Sequence, residues 1–226
     1  MPCQSFSQNQ TGSKAGACRP FDINRDGTLL GEGAAILVLE EREHALSRNV
    51  RIYGEILGYG MAADAYDLTD IPPQDAPGMT LCLQKALSTT GIDPCAVGYI
   101  NVHGTATKMN DLAEASAIKQ VFGEHATVLP VSGIKGSLGH GLGAAGALEA
   151  VTALLSSCCD LIPPTYGLVD PDPGCDLCHV IGKGMRASVP VALSTGVGMG
   201  GNNSAIVLRG EKCSLDGTDF LNEEGS

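Results

Sequence analysis

Short apolar runs alternate with amphipathic segments along most of the chain. From Ala34 to Glu41 the sequence AAILVLEE is one continuous apolar run ending in charge, which predicts a fully buried strand. Similar stretches at 51–64, 97–105 and 126–133 predict three more strands. The segments between them, EREHALSRN, MTLCLQKALSTTG and DLAEASAIKQVFG, predict helices. Strands that alternate with helices indicate an α/β domain in which helices cover a sheet.

The two ends of the chain differ from this pattern. Residues 1–18 have no apolar periodicity and are predicted to form an N-terminal extension, and residues 210–226 are predicted to be a flexible tail. Between them, residues 19–209 form one predicted domain, which ends with the strands VPVALSTGVGMGG and NNSAIVLRG joined by a glycine turn. The pair Asp111 and Glu114 fits a capping box at the start of the helix DLAEASAIKQVFG.

The chemistry is concentrated in two glycine-flanked segments. Lys135 and His140 lie in SGIKGSLGHGLGAAGALEA, where a glycine-rich loop leads directly into a Gly/Ala/Leu helix. At a helix N-terminus the positive end of the dipole favours a neutral imidazole, which can donate a hydrogen bond to a developing oxyanion. His103 follows an apolar strand in NVHGTATKMND, beside a glycine that leaves space for a ligand.

Each of these residues also has a purely structural interpretation. A single histidine after a strand is often a satisfied core residue, and spacing alone is equally consistent with an exposed Lys135. If Lys135 is buried it needs an acidic partner, and Glu149 is the only acid in the adjoining helix. We therefore expect Lys135 to pair with Glu149 and to orient His140. Thr105 and Thr107 alternate behind His103, where they can hydrogen-bond an amide-bearing substrate.

Charge and composition narrow the classes of partner. The net charge is −11 and the sequence has no basic stripe, which argues against nucleic acid as a partner. The first twenty residues lack the apolar segment of a secretory signal, and the sequence has no uninterrupted membrane-length apolar run. A cytoplasmic protein without a membrane partner is the expectation.

The nine cysteines are expected to be reduced in such a compartment. Cys175, Cys178 and His179 match the C-x-x-C-H pattern of haem c attachment, but haem c requires export and further ligands, which the sequence does not indicate. As a zinc site the same three residues lack a convincing geometry. No metal site is predicted.

Four blocks, taken together and in order, resemble the C-terminal half of a β-ketoacyl-(acyl carrier protein) synthase. They are CRPFDINRDGTLLGEGAAILVLEE, NVHGTATKMND, IKGSLGHGLGAAGALEA and GVGMGGNNSAIVL. The resemblance implies a thiolase-like fold of α-β-α-β-α layers, of which residues 34–60 supply the last strands of the N-terminal half and residues 81–209 the C-terminal half. It also implies decarboxylative Claisen condensation of an acyl thioester with malonyl-acyl carrier protein, in polyketide or fatty acid biosynthesis.

The same resemblance assigns roles to individual residues. His103 and His140 correspond to the two histidines that promote decarboxylation, while Lys135 and Glu149 keep the site in order. Thr105 and Thr107 hydrogen-bond the phosphopantetheine arm of the carrier protein, which is the substrate carrier, so that no further cofactor is expected. Substrate binding is also assigned to Gly198 and Met199, with Met199 at the position of a gating phenylalanine.

The sequence departs from the family pattern in ways that shape the functional expectation. The nucleophilic cysteine of the family lies upstream of the RPFD block, and neither Cys3 nor Cys18 has its context. Lys108 stands where the family has a proline. Either the sequence is a fragment, or it works with a second chain that supplies the first half. We favour a split gene product and expect an acyltransferase subunit of a heterodimer or heterotetramer, inactive until a second ketosynthase chain supplies the cysteine. The alternatives are a non-catalytic partner similar to a chain-length factor, and a malonyl decarboxylase that needs no cysteine.

Overall fold

The computed structural model describes residues 18–67, 72 and 75–212. The helices and strands, in chain order, are α1 (Arg42–Ser47), β1 (Gly54–Ala63), α2 (Pro77–Ser88), β2 (Tyr99–Asn101), α3 (Lys108–Phe122), β3 (Pro130–Ser132), α4 (Lys135–Leu138), α5 (Ala145–Cys159), β4 (Leu161–Ile162), β5 (Cys178–His179), β6 (Met185–Arg186), β7 (Ala192–Gly198) and β8 (Asn202–Gly210). The predicted N-terminal extension lies outside the described residues except for Cys18, as does the tail beyond Lys212.

Six strands form one mixed sheet in the order β1-β8-β7-β2-β3-β5. The central strand β2 is parallel to both β3 and β7, and β3 is parallel to β5. The hairpin of β7 and β8 and the pairing of β1 with β8 are antiparallel. Strands β4 and β6 form a separate two-stranded ladder.

Helices cover both faces of the sheet. On one face α2 packs against β1 and β8 and against α3, and the core between them is built from residues such as Leu83, Ile100, Ile118 and Val207. On the other face α5 packs across β2, β7 and β8 through Ala150 and Ala153. Small residues on α5 allow the helix to lie close to the sheet. This arrangement is the predicted layered α/β architecture.

The structure corrects the prediction for residues 34–41. This segment forms no strand, and its apolar side chains are exposed: Ile36 is 91% exposed, Val38 81% and Leu39 70%. A strand requires hydrogen-bonding neighbours, and no described strand lies beside this run. The other strand that the resemblance assigns to the N-terminal half does form, as β1, but it pairs with β8 in the same sheet as the remaining strands.

The predicted capping box is also wrong. Helix α3 begins at Lys108, and its N-cap is Thr107, whose hydroxyl accepts a hydrogen bond from the backbone nitrogen of Asn110 at 3.4 Å. The carboxylates of Asp111 and Glu114 are fully buried and bind other segments. They therefore belong to the core beneath the site rather than to the end of the helix.

Candidate active site

The predicted site residues follow the carboxyl ends of three parallel strands. His103 comes after β2, Lys135 after β3, and Met199 after β7. Because β2 is parallel to both β3 and β7, these ends lie at one edge of the sheet. In α/β sheets ligands bind at this edge.

His103 is 5% exposed and is bound through both its backbone and its ring. Its backbone N–H donates to Glu114 Oε1 at 2.7 Å and lies 3.0 Å from Thr195 Oγ1. Its ring Nδ1 lies 3.2 Å from Lys135 Nζ. An ammonium group only donates, so Nδ1 must be the acceptor and the ring proton is on Nε2.

Lys135 is paired with Glu149, as expected, and both residues are 1% exposed. The ammonium donates to Glu149 Oε1 and to the backbone carbonyl of His103. Burial holds the pKa of the Glu149 carboxyl above its ordinary value, although the neighbouring Lys135 acts in the opposite direction. The direct contact of Lys135 is with His103, which corrects the expectation that it orients His140.

His140 faces His103 with ring centroids 5.3 Å apart and ring planes at 83°. Its Nδ1 accepts a hydrogen bond from the backbone nitrogen of Leu142 at 3.1 Å, so its proton is also on Nε2. Burial and the charge of Lys135 lower the pKa of His103 to about 3 and the pKa of His140 to about 4. Both rings are therefore neutral at physiological pH, and each has an Nε2–H donor. Burial is the largest cause for both rings, followed by the charge of Lys135.

The two threonines lie beside the His103 loop. Thr105 Oγ1 is 2.9 Å from Thr107 Oγ1, and Thr107 also caps α3. Gly198 ends β7 and Met199 begins the tight turn to β8, where Met199 is 55% exposed and its carbonyl accepts from Asn202 Nδ2 at 2.9 Å. The turn continues with Gly200 and Gly201 at φ values of 80° and 70°, which favour glycine.

Three buried cysteines, Cys18, Cys82 and Cys175, do not have the character of a nucleophile. Cys18 is buried, and its thiol lies 3.7 Å from the backbone oxygen of Thr105. Burial raises the pKa of Cys18, and raises those of Cys82 and Cys175 to about 11 and about 12. A nucleophilic cysteine needs a lowered pKa, so these thiols are structural.

Two acidic residues near the site were missed by sequence reasoning. Glu114 Oε2 accepts from the backbone nitrogen of Gly104 at 2.9 Å, in addition to the bond from His103, and Glu114 Oε1 accepts from Thr195 Oγ1 at 2.5 Å. Asp111 accepts from the backbone nitrogen of Phe21 at 2.8 Å and lies 3.4 Å from the buried Arg25. The available signal was the presence of acids on the buried face of α3, which the capping-box interpretation obscured.

The C-x-x-C-H segment plays no part in this site. His179 Nε2 lies 2.7 Å from the backbone oxygen of Cys175, and its ring is 5.0 Å from that of Phe21. Within the described residues, no group of three or more His, Cys, Asp or Glu side chains is arranged to bind a metal ion.

One described stretch, Leu142–Cys159, has the length and composition of a membrane helix. It contains α5 with the buried Glu149, and 44% of it is buried in the protein. A core helix of this kind passes the same test, so the stretch is weak evidence for a membrane span.

Comparison with known proteins decides the family. Residues 53–169, more than half of the chain, match the family described as "Beta-ketoacyl synthase, C-terminal domain", and residues 1–45 match "Beta-ketoacyl synthase, N-terminal domain". The chain belongs to the β-ketoacyl synthase family.

Individual β-ketoacyl synthases agree with this assignment. The 3-oxoacyl-[acyl-carrier-protein] synthase 2 of Coxiella burnetii is 48% identical over 192 residues, which are 85% of this chain and 46% of that protein. The chain thus spans about half the length of the curated relatives it matches.

Solved structures of ketosynthases share the fold. A type II PKS acyl-carrier protein in complex with its ketosynthase bound to the hexaketide matches with a TM-score of 0.83 and 37% identity, over 93% of this chain and 49% of that one. The ishigamide ketosynthase/chain length factor matches with a TM-score of 0.85 and 36% identity, over 92% of this chain and 50% of that one. The fold is therefore thiolase-like, as the sequence resemblance implied.

Proposed function

We propose that this chain is a ketosynthase subunit that supplies the two histidines for decarboxylative Claisen condensation, in polyketide or fatty acid biosynthesis. The observation that carries the proposal is the pair of imidazole rings with centroids 5.3 Å apart, in which each Nδ1 faces a hydrogen-bond donor. This arrangement leaves Nε2 of each ring to carry the proton. Two fixed donors of this kind stabilise negative charge that develops on a thioester oxygen. The reaction transfers an acyl group, so the complete enzyme is an acyltransferase.

In the proposed reaction His103 and His140 act on the malonyl thioester. As the C–C bond to the carboxylate breaks, carbon dioxide leaves and the electron pair moves into an enolate whose oxygen accepts from the two Nε2–H groups. The enolate carbon then attacks an acyl thioester, and the cysteine thiolate of that thioester leaves. Lys135 and Glu149 keep His103 in its tautomer, since Lys135 donates to Nδ1.

The cysteine in this proposal belongs to a second ketosynthase chain. The raised pKa values of Cys18, Cys82 and Cys175 support this, because a thiol that stays protonated cannot attack a thioester efficiently. The exposed apolar side chains of Ile36, Val38 and Leu39 supply a surface for that chain. Large exposed apolar patches mark interaction sites in proteins. The complex is then a heterodimer or a heterotetramer in the cytoplasm, inactive when the chains are separated.

The substrate carrier in this proposal is the phosphopantetheine arm of an acyl carrier protein. Thr105 and Thr107 are the residues to which its amides would donate, and the backbone of Gly198 and Met199 lines the entry for the acyl chain. Met199 replaces a rigid ring with a flexible thioether, which allows a wider acyl entry.

With a net charge of −11 the chain repels an acidic carrier protein. Since Arg19 is already paired with Asp26 at 3.2 Å, the basic docking patch is assigned mainly to the partner chain, assisted by Lys108.

A second candidate function is a non-catalytic subunit similar to a chain-length factor. One of the similar solved structures is named as a ketosynthase/chain length factor, and this similarity supports the alternative. The buried pairing of Lys135 with Glu149 and the fixed tautomer of His103 favour catalysis, because a structural partner has no need of them. A malonyl decarboxylase that acts without a cysteine is the third candidate.

The test is release of carbon dioxide from malonyl-acyl carrier protein by this chain together with the chain that copurifies with it. We expect His103→Ala and His140→Ala each to reduce the rate by at least about 10²-fold, the range of a lost oxyanion donor. Lys183→Ala is the control, since Lys183 is exposed and lies far along the chain from both the site residues and the 34–41 run, and it should leave the rate unchanged. Full activity of both active-site variants would favour the non-catalytic function, and full activity of this chain alone would favour the decarboxylase.

A further inference from the structure

The backbone of His140 is bound on both sides by a segment from a distant part of the sequence. The backbone N–H of His140 donates to the carbonyl of Leu29 at 2.7 Å, and the N–H of Gly31 donates to the carbonyl of His140 at 3.1 Å. These two bonds form an isolated β-bridge between Leu30 and His140. The Leu29–Gly31 segment therefore determines where the His140 peptide unit lies.

The bridge depends on a close backbone contact between two glycines. A Cβ atom placed on Gly31 would collide with the backbone oxygen of Leu138 and would lie 3.0 Å from the Cα of Gly139. A Cβ atom on Gly139 would lie 2.8 Å from both the Cα and the nitrogen of Gly31, and Gly139 has a φ of 72°. Both clashes involve backbone, so a side chain at either position must separate the two segments.

We infer that Gly31 is a positioning residue for His140: its close contact with Gly139 sets the distance between the His140 and His103 rings. The effect of Gly31 on catalysis rests on the proposed function, whereas its effect on the position of His140 does not. The backbone of His103 is held by Glu114 on α3 and Thr195 on β7, neither of which contacts the Leu29–Gly31 segment. Lys135 also binds His103, but it lies on α4, whose last residue, Leu138, a side chain at Gly31 would meet. A change at Gly31 should therefore move His140 much more than His103.

The environment of His140 makes such a movement measurable. Burial, Lys135 and His103 together lower the pKa of His140 to about 4, while the nearby Glu149 acts in the opposite direction. When the ring moves away from Lys135 and toward solvent, its pKa should rise toward the ordinary value of about 6.5. A general loss of stability would affect both histidines, whereas a positioning role affects mainly His140.

The experiment is an NMR titration of the 226-residue chain with isotope-labelled histidine, comparing the unaltered chain with Gly31→Ala. Gly33→Ala is the matched control, because a Cβ on Gly33 meets only the flexible end of the Leu148 side chain, at 3.1 Å. We expect Gly31→Ala to raise the pKa of His140 by at least one unit while that of His103 stays low, and Gly33→Ala to change neither. In the complex with the partner chain, Gly31→Ala should slow carbon dioxide release on the order of 10²-fold.

The two parts of the experiment separate the two hypotheses. If the unaltered complex releases no carbon dioxide, the proposed function fails, and the NMR result still decides the positioning role. Unchanged titration of His140 in Gly31→Ala, or equal shifts of His140 and His103, would overturn the inference. Should Gly31→Ala not fold, hydrogen exchange on the unaltered chain decides: we expect the amides of His140 and Gly31 to be protected and to exchange together, and free exchange of His140 would contradict us.

Discussion

Glu114 lies directly beneath His103, with its Oε1 atom 2.7 Å from the backbone nitrogen of the histidine. The same carboxylate binds the backbone nitrogen of Gly104 and the hydroxyl of Thr195, and its side chain is fully buried. One acid on α3 thus connects the segment that follows β2 with the middle of β7. The position of the His103 backbone at this edge of the sheet depends on it.

Replacing Glu114 by Gln should destabilise the protein by about 2–4 kcal/mol, because one of its oxygens becomes a donor that faces a backbone N–H. Chemical denaturation of Glu114→Gln measures this. The control is Glu124→Gln, since Glu124 is exposed, and it should stay within about 0.5 kcal/mol of the unaltered chain. Equal stability of both variants would show that the Glu114 contacts contribute little.

The ion pair of Lys135 and Glu149 predicts a strong non-additive effect. Lys135→Met leaves the Glu149 carboxylate buried without a cation and should cost about 3–5 kcal/mol. The double variant Lys135→Met/Glu149→Met removes both charges and should recover most of that loss. Its rate of carbon dioxide release should nevertheless stay below that of the unaltered chain, because His103 Nδ1 has lost the Lys135 donor that fixes its tautomer. Additive losses of stability would contradict the buried pairing.

Acid should destabilise the protein through its histidines. The folded-state pKa of His103, about 3, is lower than the value near 6.5 of an unfolded chain, so between these values only the unfolded state binds the proton. Above pH 6.5 neither state binds this proton, and His103 does not reduce the free energy of unfolding. As the pH falls from 6.5 toward 3, proton binding by the unfolded state lowers the free energy of unfolding progressively. His103→Gln should therefore reduce the slope of unfolding free energy against pH by about 1.4 kcal/mol per pH unit between pH 6 and pH 4. An unchanged slope would mean that the ring is not neutral and buried in the folded state.

The exposed run at 34–41 is the surface to which we expect the proposed partner chain to bind. Ile36→Asp places a charge in the contact and should weaken the complex at least about tenfold, as measured by titration calorimetry. Val169→Asp is the control, because Val169 is 83% exposed outside this run, and it should leave the affinity unchanged. If Ile36→Asp binds as tightly as the unaltered chain, the partner uses a different surface.

The sequence predicted those parts of the fold and of the site that depend on local pattern. The pairing of Lys135 with Glu149 was predictable, since Glu149 is the only acid in the helix that follows the lysine. The strand at 34–41 was predicted wrongly, because a continuous apolar run indicates burial but not which neighbour buries it. The neighbours of a strand are a property of the assembled protein and not of the run itself.

The contacts that sequence reasoning missed join segments that are far apart in the chain. Glu114 was assigned to a capping box from its spacing to Asp111, whereas its actual partners are backbone groups of another segment. The only sequence feature related to the bridge between Leu29–Gly31 and His140 is the pair of glycines at 31 and 139. Glycines are required at many kinds of turn and close contact, so their presence alone did not identify the pair.

The central claim is that the histidines are in this chain and the nucleophilic cysteine is in another. The most direct measurement compares carbon dioxide release with condensation in the two-chain complex when the active cysteine of the partner chain is replaced by Ala. The account predicts that this complex still decarboxylates malonyl-acyl carrier protein but forms no condensed product, while the double variant His103→Ala/His140→Ala does neither. Condensation by this chain alone, or by the double variant at the unaltered rate, would contradict it.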